Sequence, residues 1–400
     1  MDNLHDMMNE VVASFVHTIK SKVDTQVEVV SACRALEADV ICKSSGLILK
    51  SPLKNFELTF VSSPVQLWGV NRGNTCLVSR LTSRHGHEER RKGKMDALGT
   101  IAALERLERL IFKLSGWQTS YTASMQEWEQ WTDEGLARAL SPERSEKRIA
   151  SPSLIETLLK SGVHPQTALC EARENIGPGT DTTSATLAHI LYALAKNPPY
   201  QATLRDELKI LAFPTDITSL ESIPKLRACI YEGIRWTGAA AAMLPRIVPE
   251  EGAWLDGKYL PGGTTITSSP IWYLHDQHVF PNPYYYNPYR WLNPDGTALN
   301  IGERPLQEKY YIPFSKGPYV CIGAHFSYYE LYLSISQLLK HFKLSSSSNG
   351  PSIMDNRRPN TATKDCHFTP VRLPKRKEWV AAVPTECLNV RFSNISKRED

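Results

Sequence analysis

Apolar residues recur at helical spacing through most of the chain, and this period outweighs the alternation expected of strands. Residues 1–45 predict two helices. In the first, ending at Lys20, Val11, Val12, Phe15, Val16 and Ile19 form one stripe, opposite Asp2, His5, Asp6, Glu10, His17 and Lys20. The second, Val27 to Lys43, places Val30, Cys33, Leu36, Ala38, Val40 and Ile41 on its apolar side. Pro52, Pro64 and Gly73 interrupt the pattern over 46–80. A helix from about Ala97 to Leu114 follows, then the longest helical pattern, Pro165 to Lys196, and a short helix from Leu226 to Trp236. The last is Ala324 to Phe342, with Phe326, Leu331, Ile335, Leu338 and Leu339 on one face. Strand signals are short and late. Trp254 to Leu260 reads as a hairpin about Asp256-Gly257, and Thr265 opens the next strand. Pro281, Pro283, Pro288 and Pro294 stiffen a meander, and Phe368 to Leu373 and Trp379 to Val383 read as strands. The pattern predicts a mainly helical chain with small β-sheets (α+β), helical to about 240 and richer in β from 241, and its length allows one large domain or two ordinary ones.

Composition narrows the class. Of the 400 residues, 42% are hydrophobic and 22% charged, the balance of a soluble globular protein with ample core. A net charge of +4 is too small to argue for nucleic acid. The first helix is amphipathic, unlike a signal peptide, and no stretch reaches the roughly 18 unbroken apolar residues of a membrane span. The 8 cysteines are scattered without zinc-type spacing, which fits a reduced, intracellular protein. Arg84 to Lys94 is the densest charge run, with His85 and His87 inside it. It could bind phosphate or metal, but Glu88 and Glu89 dilute it, and a solvated loop is the plainer reading. Trp117, Trp128 and Trp131 read as packing residues and 141–151 as a polar linker.

The richest candidate chemistry lies at Phe314-Ser315-Lys316-Gly317-Pro318-Tyr319-Val320-Cys321-Ile322-Gly323. Cys321 sits on a tight loop feeding a helix N-terminus, where free N–H groups and the positive end of the dipole favour a thiolate. A buried structural cysteine is the bland alternative. Upstream, Gly177-Pro178-Gly179-Thr180-Asp181-Thr182-Thr183 places two glycines and a proline inside the longest helix. That costs several kcal/mol against alanine and predicts a break. Glu232-Gly233-Ile234-Arg235 puts opposite charges on one helix face; Glu232 lies 50 residues after Thr182 and 89 before Cys321.

In this order and spacing the motifs resemble those of the cytochrome P450 family, whose haem loop reads Phe-x-x-Gly-x-Arg/His-x-Cys-x-Gly. The resemblance implies Cys321 as axial ligand of the haem iron, Phe314 packed near the sulfur, Gly317 in the sharp turn and Gly323 close to the ring. Tyr319 stands where the family has the Arg or His that contacts a propionate. Arg246, in Pro245-Arg246, matches a second propionate contact. Thr182 and Asp181 match the threonine that touches bound oxygen and the acid that relays protons to it; Pro178 departs from the family's Ala or Gly. Glu232, Arg235 and Arg290 match a buried ion network with a structural role.

The resemblance further implies a single incomplete cytochrome P450 domain over 1–400, without the family's N-terminal anchor, first sheet and early helices. It implies haem b, with electrons from NADPH through a cytochrome reductase, and insertion of one atom of O2 into a hydrophobic small molecule. The flavour is that of fungal secondary metabolism, whose members sit on the cytosolic face of the endoplasmic reticulum. The competing readings are an inactive relative, a binding protein using the run at 84–94, and a haem-thiolate isomerase or dehydratase. Thr182 speaks against the last.

Overall fold

The computed structural model describes residues 2–47, 120–141, 152–299, 302–346, 368–378 and 380–395. The charge run at 84–94, the helix expected at 97–114 and Trp117 lie outside them. In chain order the elements are α1 (Asp2–Lys20), β1 (Gln26–Glu28), α2 (Val29–Ser45), α3 (Ser120–Ala139), α4 (Leu154–Lys160), α5 (Pro165–Ala195), α6 (Pro198–Ile210), α7 (Ile217–Glu221), α8 (Pro224–Thr237), β2 (Leu244–Ile247), β3 (Ala253–Leu255), β4 (Lys258–Leu260), β5 (Thr265–Ser268), α9 (Pro270–Leu274), β6 (Tyr285–Tyr286), α10 (Pro305–Tyr310), α11 (Ala324–His341), β7 (Phe342–Ser345), β8 (Val371–Arg372), β9 (Arg376–Glu378), β10 (Ala382–Pro384) and β11 (Asn389–Asn394). Helices dominate, and every strand pairing among the described residues is antiparallel, as in an α+β fold. No described helix is long and apolar enough to cross a membrane.

The described residues fall into two compact units, 2–41 with 178–395, and 42–47 with 120–141 and 152–177.

In the larger unit, α11 is the hub: α1, α6, α7 and α8 all contact it. Leu331, Ile335, Leu338 and Leu339 are buried there. The part of α5 beyond 184 has no polar stripe. Ala185, Leu187, Ala188, Ile190, Leu191, Ala193 and Leu194 are all buried, the signature of a helix enclosed by core on every side. Gly233 explains how α8 comes so near, since a Cβ there would collide with the Ile190 side chain.

One three-stranded sheet, β1-β11-β7, closes this unit, with Val27 opposite Val390 and Phe392 opposite Leu344. The pattern placed Val27 in a helix. Its strand pairs with residues more than 360 positions away, so no local signal announces it. The 254–260 hairpin forms as β3 and β4, with Asp256 at φ 48° and Gly257 at φ 70°, both in the left-handed region that a two-residue hairpin turn demands. The late strands are shorter than expected, Val371–Arg372 and Ala382–Pro384.

In the smaller unit, a capping box starts α4: the Ser153 hydroxyl accepts from the Glu156 amide while the Glu156 carboxylate accepts from the Ser153 amide. Arg173 ties helices together, donating to Thr132 Oγ1 at 2.8 Å, pairing with Asp133 at 3.1 Å and lying 5.0 Å from the Trp128 ring.

Candidate functional site

The Cys321 loop is shaped by its backbone. Gly317 has φ 75°, and a Cβ there would meet nothing within 4 Å, so conformation and not crowding calls for glycine. Val320 N–H donates to Gly317 C=O at 3.0 Å, closing a one-turn 3-10 helix. Cys321 N–H donates to Phe314 C=O at 2.8 Å, closing the whole loop. Phe314 is half-buried, its ring 5.3 Å from that of Tyr328 on α11. Gly323 is the N-cap of α11, and a Cβ on it would sit 3.8 Å from Cys321 Sγ. The thiol therefore lies beside the helix N-terminus.

The loop is apolar and turned outward. Cys321 is exposed, as are Tyr319, Val320 and Ile322, the last at 93%. Burying that apolar surface is favourable, so a flat apolar partner fits it. Arg246, on β2 opposite Ile266 of β5, lies with its guanidinium carbon 4.7 Å from the centre of the Tyr319 ring. That contact uses the face of the guanidinium; Nη1 donates to Pro245 C=O at 2.9 Å, and the remaining N–H edge suits a carboxylate. Among the described residues no group of three His, Cys, Asp or Glu is placed to hold a metal ion. A lone thiol with an arginine nearby fits a metal whose other ligands come from a flat ring bearing carboxylates.

The expected break in α5 is absent. The helix runs unbroken from Pro165 to Ala195 with Pro178 inside it. The physical reason is local. Pro178 forfeits one intrahelical bond, and its own carbonyl accepts the Thr182 hydroxyl at 2.8 Å. Gly179 serves packing, since a Cβ there would lie 2.7 Å from Ile41 Cδ1 of α2. Asp181 forms an ion pair with Arg34 of α2, Nη2 to Oδ1 3.0 Å, both side chains about a third exposed. Thr183, not Thr182, reaches α11: its Oγ1 is 3.1 Å from Ser327 Oγ, one turn beyond Gly323. The structure thus joins the Thr183 turn to the helix that follows Cys321.

Glu232, Arg235 and Arg290 come together in a separate, fully packed network. Glu232 and Arg235 are completely buried. Arg235 grips the carboxylate with two bonds of 2.8 Å, Nε to Oε2 and Nη2 to Oε1. Arg290 Nε adds 3.2 Å, the Asn287 amide 2.9 Å and Trp291 Nε1 3.0 Å. Burial alone would raise the pKa of Glu232. The charges of Arg235 and Arg290 and the Asn287 N–H outweigh it and hold the carboxyl below the ordinary glutamate value. Arg235 spends its other N–H groups on the carbonyls of Leu274, Pro283 and Tyr285.

Sequence reasoning missed Arg34, Thr183 and Ser327 as partners, because each contact spans more than 140 residues. It also missed Trp291, whose adjacency to Arg290 was the available signal.

The family profile described as Cytochrome P450 matches residues 120–365 of the chain. The chain belongs to the cytochrome P450 family. Among curated relatives, it is 34% identical over 195 residues to Cytochrome P450 monooxygenase asqL of Emericella nidulans, covering 48% of this chain and 39% of that protein. It is 32% identical over 244 residues to Cytochrome P450 monooxygenase BOT1 of Botryotinia fuckeliana, covering 58% and 45%. Cytochrome P450 monooxygenase astB of Aspergillus terreus is 35% identical over 176 residues, covering 42% and 33%. The chain therefore spans less than half the length of these P450 relatives.

Proposed function

We propose that this chain acts as a haem-thiolate monooxygenase that places one atom of O2 into a hydrophobic small molecule of secondary metabolism. The observation that carries the reading is the exposed Cys321 on an apolar loop at the start of α11, with Arg246 against Tyr319 two residues away. Haem b, when bound, supplies oxygen activation, fed with electrons from NADPH through a cytochrome reductase.

The chain supplies position and protons. Cys321 would hold the iron as a thiolate, with Phe314 beside the sulfur and Gly317 and Gly323 letting the group come close to backbone. Arg246 would neutralise a propionate with its N–H edge while the Tyr319 ring holds its face. Tyr319 thus serves through Arg246 where other family members place a charge of their own. Thr182 holds its proton against Pro178 C=O, and a rotation about χ1 would free that hydroxyl to donate into the site. Asp181, once parted from Arg34, would relay protons to that hydroxyl.

The test is an absorption spectrum of the purified, haem-supplied chain, reduced and treated with carbon monoxide. A strongly red-shifted Soret band, followed by turnover that requires reductase and NADPH, supports the reading. An unshifted band, or haem-free protein, points instead to an inactive relative. In the working enzyme, Thr182→Ala should raise the share of consumed O2 released as hydrogen peroxide by about tenfold relative to product. Unchanged coupling would remove Thr182 from the relay.

A further inference from the structure

Three hydroxyls of α5 near the relay turn bond back into their own helix. Thr182 donates to the carbonyl of Pro178 at 2.8 Å, Ser184 to that of Asp181 at 3.4 Å and Thr186 to that of Thr182 at 2.9 Å. Such back-bonding is the ordinary fate of a helical hydroxyl. Thr183 departs from it. Its side chain is buried, and its Oγ1 lies 3.1 Å from Ser327 Oγ on α11, with either oxygen able to donate. A valine has nearly the same branched shape, so filling space does not by itself call for a hydroxyl at 183.

Both ends of this contact adjoin the candidate site. On α5, Thr183 directly follows Asp181 and Thr182. On α11, the Ser327 N–H donates to Gly323 C=O at 2.8 Å, closing the first turn of the helix. A Cβ placed on Gly323 would lie 3.8 Å from Cys321 Sγ and 4.0 Å from Ser327 Oγ. The thiol and the Ser327 hydroxyl therefore flank one gap, which glycine keeps open. Core packing anchors α5 beyond 184 and α11 from Tyr329 to Ile335. The chemistry-bearing turns lie just outside those anchored stretches, and the Thr183–Ser327 bond spans from one to the other.

We propose that Thr183 and Ser327 are positioning residues, a hydroxyl clasp that pins the first turn of α11, and Cys321 with it, against the turn that carries Asp181 and Thr182. The use of that placement in a proton relay rests on the monooxygenase reading; the clasp itself does not. A relay works only while its members stay within hydrogen-bond reach, and a misplacement of about 1 Å can cost on the order of 100-fold in rate. A hydroxyl pair suits the task because its bond is directional and short-ranged, whereas apolar contact alone resists sliding weakly.

Hydrogen exchange in the haem-free chain tests the clasp. In Thr183→Val the amides of the first turn of α11, that of Ser327 among them, should exchange about fivefold faster than in the native chain, the worth of one hydrogen bond. Ser327→Ala should do the same, and the double variant should be no faster than either single one, because both remove the same bond. Thr183→Ser keeps the hydroxyl and should restore the native rate. In the haem-loaded chain, Thr183→Val and Ser327→Ala should leave the carbon monoxide band in place and raise the share of O2 released as hydrogen peroxide by about fivefold, with Thr183→Ser again near native. Native exchange rates in both single variants, or effects that simply add in the double variant, overturn the clasp whether or not haem binds. Faster exchange with an unchanged peroxide share overturns the positioning role. Faster exchange in the variants of a chain that gives no red-shifted band supports the clasp and sinks the monooxygenase reading instead.

Discussion

Glu232→Ala is expected to cost about 3–5 kcal/mol of stability and to leave most of the protein insoluble or unable to retain haem. The wild-type carboxylate takes five donors: three from Arg235 and Arg290, and one each from Asn287 and Trp291. Removing it strands the fully buried Arg235 and the nearly buried Arg290 as uncompensated cations. Typical domains have only about 5–15 kcal/mol in hand, so the loss is a large fraction of the whole. Arg235→Ala should be similarly severe, because it leaves Glu232 short of its strongest partner. Chemical denaturation of soluble material checks both, and a shift under about 1 kcal/mol would mean that the network is dispensable. Since Glu232 titrates below its ordinary value, its contribution is present above about pH 4.3 and lost as pH falls through the lower, folded value.

Cys321→Ser should have the opposite profile. Its side chain is exposed and its loop is closed by backbone bonds, Cys321 N–H to Phe314 C=O and Val320 N–H to Gly317 C=O, which the substitution leaves intact. The melting midpoint should therefore move by the equivalent of no more than about 0.5 kcal/mol. The thiolate signature, by contrast, should vanish completely: haem added to the variant gives no red-shifted band with carbon monoxide. A retained band would show that another residue is the ligand. The contrast separates the two buried-versus-exposed clusters by what they do, one holding the fold and the other holding chemistry.

How much of this was legible depends on the distance over which each feature is encoded. The last helix could be read to within a residue, because the apolar stripe from Phe326 to Leu339 lies within one segment. So could the turn at Asp256-Gly257, whose residue types answer a local backbone demand. The three charged residues of the Glu232 network were nameable because Glu232 and Arg235 share a helix face and Arg290 sits in a distinctive proline-rich stretch. The Arg34–Asp181 pair, the Thr183–Ser327 contact and the β1–β11 pairing had no such signature, since each is created when segments far apart in sequence meet. Glu37 shows the same limit from the other side. A glutamate among helix-forming residues reads as a solvated position, and only packing buries it completely. At 177–183 the residue types suggested a broken helix. Gly179 instead makes room for Ile41, and the Thr182 hydroxyl occupies the carbonyl of Pro178.

The encasement of α5 beyond residue 184 bears on how such a protein can change over generations. Successive residues of a helix are turned by about 100° and advanced by about 1.5 Å. With every residue from Ala185 to Leu194 buried except the half-buried Tyr192, the azimuth of Asp181 and Thr182 is set by a rod held firmly in its socket. Inserting or deleting a single residue between 185 and 195 swings both side chains a quarter-turn away, so lineages that diversify should vary in loop length while keeping the residue count of this helix constant.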